Sequence, residues 1–479
     1  MTTTAVLAID QGSGSTKALL VDAHGAIIAR GTADVVTAHP QPGWVQQDAD
    51  HLWDTVQSAV AAALAQAPDV QVAAIGLSTQ RESLVVWSRS TGAPLAPVLT
   101  WQDRRSATLL PRFASAEASV RDLSGLPIDP MFSALKAAVV LPSLDHPVED
   151  VCIGTIDSWL LWKMGAGHVI EIGNASRTQL LDVKRGEWSP DLTALFGVPA
   201  SCLPRVHSSD AVHALAADVL PGVAAGTPIS GVLGDSHAAL FAHAGWLPGR
   251  VKATYGTGSS VMALGPGADA ASGLCTTIAW GTADGIAHAL EGNILSSGST
   301  LVWLAELFGT TVGDLAARAK PSDGAVHLVP AFNGLGAPWW DDRATGTLVG
   351  LTLGTDLGDI ASAGLDSIAM QVTDIVDAMR TAGVRVDNLR ADGGATRNPD
   401  LMQRQADFAG ARIAVSDVAE LSAIGAANLA GRTIGLWSDA DLEARTSGGL
   451  EYSPLLADDV RAARRAAWHG AVARARLAV

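Results

Sequence analysis

Asp10 stands at the head of Asp10-Gln-Gly12-Ser13-Gly14-Ser15-Thr16-Lys17, a turn rich in hydroxyls and glycine that ends on a cation. The apolar runs Val6–Ile9 and Ala18–Val21 flank it, which reads as a β-hairpin with exposed backbone N–H groups at its tip. Such a tip approaches an anionic ligand closely, and its hydroxyls add donors. A carboxylate at its base can hold Mg²⁺ beside phosphates, and Lys17 can reach a phosphate oxygen. The same device recurs at Thr254-Tyr-Gly256-Thr257-Gly258-Ser-Ser260, between Val251–Ala253 and Val261–Leu264. One such tip is an ordinary polar turn. Two, one in each half, suggest two lobes gripping a polyphosphate.

Other side chains fit chemistry on an alcohol. Gln80-Arg81-Glu82 follows a predicted buried strand; an adjacent Arg and Glu offer donors and acceptors to vicinal hydroxyls, or form a surface ion pair. Trp101 lies beside charge in Trp101-Gln-Asp-Arg-Arg105 and reads either as a sugar-stacking face or as a core residue, since the chain has 14 Trp. Asp235 follows the apolar run Ile229–Leu233 and precedes a helix predicted over Ala238–His243; it reads as an N-cap or as a general base for phosphoryl transfer. His237 reads as structural. Gly393-Gly394-Ala395 and Asn398 form a third glycine turn feeding a helix, suited to an adenine–ribose face or simply a left-handed turn. No Walker A sequence and no dinucleotide G-x-G-x-x-G is present.

The elements that must carry these residues alternate. Strands are expected at Val6–Ile9, Ala18–Asp22, Ala26–Arg30, Val70–Leu77 and Val85–Trp87, with a helix through Leu52, Val56, Val60 and Leu64. The second half repeats the scheme, with strands at Lys252–Tyr255, Val261–Leu264, Thr276–Trp280, Ala287–Leu290 and Asn388–Ala391. Helices are expected over Asp359–Ala382, from Asn398-Pro399, and over Leu421–Ala430. This is an α/β pattern. At 479 residues the chain is too long for one core, and two domains of about 240 residues are expected, divided as 1–244 and 245–479. A net charge of −16 argues against nucleic acid and anionic membranes as partners. Three scattered cysteines, no charged leader and no apolar run of about 20 residues point to a cytoplasmic protein without a membrane span.

The chain resembles the FGGY carbohydrate kinases, and among them the glycerol kinase branch. The resemblance runs from Ala8 to about Trp437. It is carried by Asp10-Gln-Gly12, Pro42-Gly-Trp44, Gln80-Arg-Glu82, Trp101-Gln-Asp-Arg-Arg105, Gly154-Thr-Ile-Asp-Ser-Trp159, Asn174-Ala-Ser-Arg-Thr178, Thr254-Tyr-Gly-Thr-Gly258, Val329-Pro-Ala-Phe332-Asn-Gly-Leu-Gly-Ala-Pro338 and Asp392-Gly-Gly-Ala395. It implies two actin-like, ribonuclease-H-like ATPase domains around a cleft, with ATP and Mg²⁺ as cofactors and a small polyol or sugar as acceptor. It further implies phosphate contacts at Ser13, Gly14, Ser15, Lys17, Thr257 and Gly258, and a nucleotide site at Gly298, Gly394 and Asn398. Asp10 matches the magnesium-associated carboxylate. Arg81, Glu82, Trp101 and Asp235 match acceptor positions, with Asp235 as the base. The family often forms dimers or tetramers.

Departures from glycerol kinase concern the acceptor. Met131 stands for a Tyr, Ser236 for a Gln and Ser260 for a Phe. These changes imply a roomier, differently polar pocket and a four- or five-carbon polyol or ketose. Glycerol itself and a sugar-binding ATPase without kinase chemistry are the alternatives. Gly14, Lys17 and Val302 depart on the nucleotide side. The loop Pro221–Thr227 lacks the Arg with which some bacterial relatives bind a sugar bisphosphate, so no such inhibition is expected.

Overall fold

The computed structural model describes residues 3–266, 273–321, 324–446 and 448–477. The chain forms two compact units. The first comprises Met1–Ala244, Thr276–Ala289 and Glu420–Thr446; the second comprises Gly245–Cys275, Leu290–Ala419 and Ser447–Val479. The units therefore interleave in sequence where the sequence reading divides the chain once, after residue 244.

Packing explains the interleaving. Helix Leu421–Thr433 lies directly on the first unit's sheet. A Cβ on Gly76 would come within 2.3 Å of the Ala426 carbonyl oxygen, and one on Gly231 within 2.6 Å of the Ala430 nitrogen. Residues 276–289 are tied to the same unit by backbone bonds, among them Ser209 N–H to the Gly281 carbonyl at 2.7 Å.

The first unit's sheet runs in the order Ala214–Leu215, Pro228–Gly234, Val70–Thr79, Thr3–Gln11, Ser15–Asp22 and Ile27–Asp34. Its three central strands are parallel, and their registers pair Gly234 with Thr79 and Gln11 with Thr79. Strands this apolar are buried on both faces. One face, through Ala5, Leu7, Ile9, Ile75 and Leu77, packs with Leu52, Val56 and Val60 of helix Ala49–Leu64. Opposite faces follow from the two-residue period of a strand.

The second unit repeats this order of elements. Strand Arg250–Tyr255 pairs antiparallel with Ser259–Leu264 and parallel with Asn388–Asp392, which pairs in turn with Arg412–Val415. Helix Leu357–Thr381 buries Leu365, Ile368, Val372, Ile375 and Met379, the face its periodicity predicts, behind an Asp356–Asp359 capping box. No described helix is long and apolar enough to cross a membrane.

Candidate active site

In the first unit, the carboxyl ends of three parallel strands bring together residues far apart in sequence. Asp10 is the penultimate residue of one strand, Arg81 and Glu82 follow the next, and Asp235 follows the third. Open α/β sheets bind ligands at this edge. The helix expected from Ala238 begins instead at Asp235, because Gly234, still extended, leads straight into it. Gly234 is the cap residue and Asp235 the first helical one; the Asp235 Oδ1 accepts its neighbour's Ser236 N–H at 2.6 Å. The N-cap reading of Asp235 is thereby corrected.

Arg81 and Glu82 are not a surface pair: their side chains are 7% and 6% exposed. The Arg81 Nε stands 3.2 Å from Asp235 Oδ1 and 3.8 Å from Glu82 Oε1. Glu82 has φ 61°, a left-handed conformation costly for its type and frequent at functional sites. Its Oε1 also accepts Arg177 Nε at 2.6 Å, and Arg177 is fully buried. His237 is buried, with Nε2 3.5 Å from an Arg81 nitrogen and 3.4 Å from the Thr277 hydroxyl, which agrees with a structural role.

Asp10 is half-buried and accepts the Ser78 hydroxyl at 2.9 Å. Burial raises its carboxyl to about 6. The Ser78 bond opposes this, Asp235's charge adds to it, and Lys17 opposes it. Lys17 is the residue paired with Asp10 across the hairpin. A desolvated carboxylate that feels a second carboxylate favours a hard divalent cation, and oxygen donors suit Mg²⁺. Among the described residues no group of three or more His, Cys, Asp or Glu could hold a metal. Asp10, a single carboxylate at the base of the hydroxyl-rich turn, offers the hard oxygen donor of a cation that takes few protein ligands.

The first hairpin tip closes through Gly12 N–H to the Ser15 carbonyl at 3.0 Å, and Gly14 is exposed at its apex. Trp101 is 38% exposed, so it is not a core residue, and its indole N–H donates to the Ser13 hydroxyl at 2.9 Å. Met131 lies in the turn before helix Ser133–Val140, where Ser133 Oγ donates to the Glu82 carbonyl at 3.0 Å. Buried Lys136 donates to the carbonyls of Pro130, at 2.9 Å, and of Met131. Its burial lowers its pKa to about 7, against the pull of Glu82, Asp103 and Asp129.

The second unit builds a matching edge. Gly256 N–H bonds the Gly258 carbonyl at 2.9 Å, and Gly298 N–H bonds the Gly256 carbonyl at 2.9 Å, which seats the Thr257 turn on the start of helix Gly298–Leu307. Gly393 has φ 96°, and a Cβ there would meet the Tyr255 carbonyl oxygen at 2.4 Å. This close approach joins the Gly394 turn to the Thr257 hairpin. Asn398 caps helix Pro399–Ala409 by accepting Leu401 N–H at 3.1 Å. Ser260 donates to Glu291 Oε1 at 3.2 Å.

Thus Asp10, Ser13, Ser15, Lys17, Arg81, Glu82, Trp101, Met131, Asp235 and Ser236 gather in one unit, and Thr257, Gly258, Ser260, Gly298, Gly394 and Asn398 in the other. Ser78, Lys136 and Arg177 were not anticipated as site residues. Only Arg177 left a trace, as part of Asn174–Thr178.

The FGGY family of carbohydrate kinases, N-terminal domain, matches residues 5–242, and its C-terminal domain matches residues 251–434. The chain belongs to the FGGY family of carbohydrate kinases. It is 41% identical over 494 residues to an apulose kinase of Pectobacterium atrosepticum, covering 100% of this chain and 99% of the relative. To a glycerol kinase of Azotobacter vinelandii it is 40% identical, covering 98% and 97%. Plasmodium falciparum glycerol kinase with ADP superimposes with a TM-score of 0.93 at 28% identity, covering 100% and 99%. A ligand-bound xylulose kinase of Lactobacillus acidophilus, at 18% identity, shares the fold with a TM-score of 0.87. The two-domain, actin-like α/β fold expected from the resemblance is thus the fold observed. FGGY kinases catalyse ATP-dependent phosphorylation of sugar and polyol hydroxyls, and this chain is an enzyme of that class.

Proposed function

We propose that this FGGY kinase transfers the γ-phosphoryl group of ATP to a primary hydroxyl of a polyol or ketose larger than glycerol, with Asp235 as the base. The observation that carries this reading is the placement of Asp235. Its side chain is 40% exposed at the strand edge, with Oδ1 held by Arg81 and by Ser236 N–H. A base must be oriented and reachable, and these contacts supply the first while exposure supplies the second.

Arg81 and Glu82 bind the acceptor hydroxyls, and their burial makes each hydrogen bond count for more than it would at the surface. Trp101 supplies an open aromatic face. Met131, Ser236 and Ser260 replace larger or more polar residues of glycerol kinase, which favours a longer acceptor; the identity to an apulose kinase accords with this. Ser13, Gly14, Ser15, Lys17, Thr257 and Gly258 bind phosphates, and Gly298, Gly394 and Asn398 bind the rest of the nucleotide. Asp10 would hold Mg²⁺, which when bound neutralises phosphate charge. With the acceptor oxygen in line with the nucleotide, Asp235 removes the hydroxyl proton as phosphorus is transferred.

The test is a coupled-ADP screen over glycerol, erythritol, xylitol, ribitol and pentuloses. Higher kcat/KM on a four- or five-carbon acceptor is expected. Preference for glycerol would restore the glycerol kinase reading, and ADP release without a phosphorylated product would indicate an ATPase.

A further inference from the structure

The indole N–H of Trp101 donates to the hydroxyl of Ser13 at 2.9 Å. On the reading above, one of these residues faces the acceptor and the other the phosphates. We propose that this bond couples acceptor binding to nucleotide binding, with Ser13 as the relay; the inference rests on that reading for what each residue touches.

Both ends of the bond are set from below. The Ser13 carbonyl is held by Gln47 Nε2 at 2.8 Å. Gln47 Oε1 accepts Gln80 Nε2 at 3.1 Å, and Gln80 also donates to Gln11 Oε1 at 3.1 Å. These three glutamines are buried. On the other side, Trp101 N–H donates to the Ser83 hydroxyl at 3.1 Å, and that hydroxyl donates to Gln80 Oε1 at 3.0 Å. One glutamine cluster therefore anchors both the phosphate turn and the tryptophan loop. The backbones are fixed, and the side chains of Ser13 and Trp101 remain the adjustable parts.

A hydroxyl that accepts one hydrogen bond is a stronger donor of its own proton. Among the described residues the Ser13 proton has a long contact, 3.5 Å, to Gln80 Oε1. That bond is weak enough to be exchanged for a phosphate oxygen. An acceptor stacked on the indole face holds the ring still, keeps N–H aimed at Ser13 Oγ, and so keeps the Ser13 proton polarised toward phosphate. Coupling is reciprocal: if the acceptor tightens nucleotide binding, the nucleotide tightens acceptor binding by the same factor. One neutral hydrogen bond sets the scale, so the factor is about three- to tenfold.

The experiment is titration calorimetry of the full chain with AMP-PNP and Mg²⁺, alone and with saturating glycerol, then with D-xylulose as second probe. Wild type is expected to bind AMP-PNP about three- to tenfold tighter with at least one probe present. Trp101→Phe keeps an aromatic ring, smaller by the pyrrole part, and removes the N–H donor; Ser13→Ala removes the relay while leaving the indole whole. Each is expected to bring the factor to about one at unchanged Tm, and the double variant to do no more. A factor retained in Trp101→Phe, or no coupling in wild type with either probe, overturns the relay. Failure of the kinase reading is separate: it shows as no phosphorylated product across the acceptor screen, whatever the calorimetry gives.

Discussion

Asp235→Asn is the sharpest perturbation of the proposed chemistry. The asparagine keeps an oxygen where Asp235 Oδ1 accepts Ser236 N–H at 2.6 Å and faces Arg81 Nε at 3.2 Å, so side-chain orientation is preserved. It loses the negative charge and the ability to take a proton. The Asp235 side chain is 40% exposed, and buried Arg81 keeps Glu82 at 3.8 Å as a second carboxylate, so losing this ion pair costs about 1 kcal/mol of stability. A positioned base contributes about 10²–10⁴-fold to rate, or about 3–5 kcal/mol of barrier. The activation effect therefore exceeds the stability effect several-fold, and the two are separable. In a coupled-ADP assay with product confirmed by ³¹P NMR, kcat is expected to fall by about 10²–10⁴. Acceptor KM is expected to change by no more than about threefold, with Tm nearly unchanged. A kcat within about tenfold of wild type would refute the base assignment. A large rise in acceptor KM with kcat intact would make Asp235 a binding residue instead.

Three further outcomes are expected. Met131→Tyr, which restores the glycerol kinase residue, is expected to lower kcat/KM on five-carbon acceptors more than on glycerol; an unchanged acceptor ranking in the same screen would remove Met131 from the specificity argument. Gly425→Ala forces a Cβ to within 1.8 Å of the Ala238 carbonyl oxygen. Ala238 belongs to helix Asp235–Ala242, so the two helices must part there, and destabilisation of about 1–3 kcal/mol or more is expected, read as a fall in Tm or loss of soluble protein; a wild-type melting curve would contradict the close packing. Glu171 is fully buried, accepts Gly173 N–H and Asn174 N–H at 2.7 Å and Ser209 Oγ at 2.5 Å, and burial raises its carboxyl to about 8 against those bonds. A folded pKa above the unfolded one gives stability that is full below the unfolded value, 4.5, and is lost as pH rises toward 8. The Tm of wild type minus that of Glu171→Gln is therefore expected to shrink from pH 5 to pH 8, and a flat difference would show that Glu171 stays ionised throughout.

Much of this arrangement was legible in the sequence because it is local. The two glycine hairpins announce themselves by apolar runs broken by small polar residues, and both appear with the expected turns. The buried helix at Leu421 was readable from its small residues, since only alanine and glycine let a helix approach a sheet as closely as Gly76 and Ala426 do. The sheet edge was legible in part: Asp10, Arg81 and Asp235 each lie just past an apolar run, and a parallel sheet aligns such ends.

What escaped was the support beneath those residues, which depends on long-range register. Ser78 reaches Asp10 because parallel pairing sets residue 78 beside residue 10. Arg177 reaches Glu82 across 95 positions of sequence and Lys136 reaches the turn beside Met131, both wholly inside the protein. A buried cation has no sequence signature of its own: it looks like any surface Arg or Lys until the fold removes water from it. Its cost in burial is offset only by the groups it holds, here a carboxylate and a row of carbonyls. The interleaving of the units escaped for the same reason. Glu420–Thr446 carries the small-residue helix Leu421–Thr433 and a short second helix, Asp439–Ala444, and only the glycines on the first sheet, Gly76 and Gly231, identify the surface the first of them covers. The residues that do chemistry are thus marked by type and turn, whereas the residues that aim them are marked only by what they touch. Ser13 and Trp101 belong to both groups, so Ser13→Ala, which leaves the indole whole and deletes the bond it makes, separates aiming from touching.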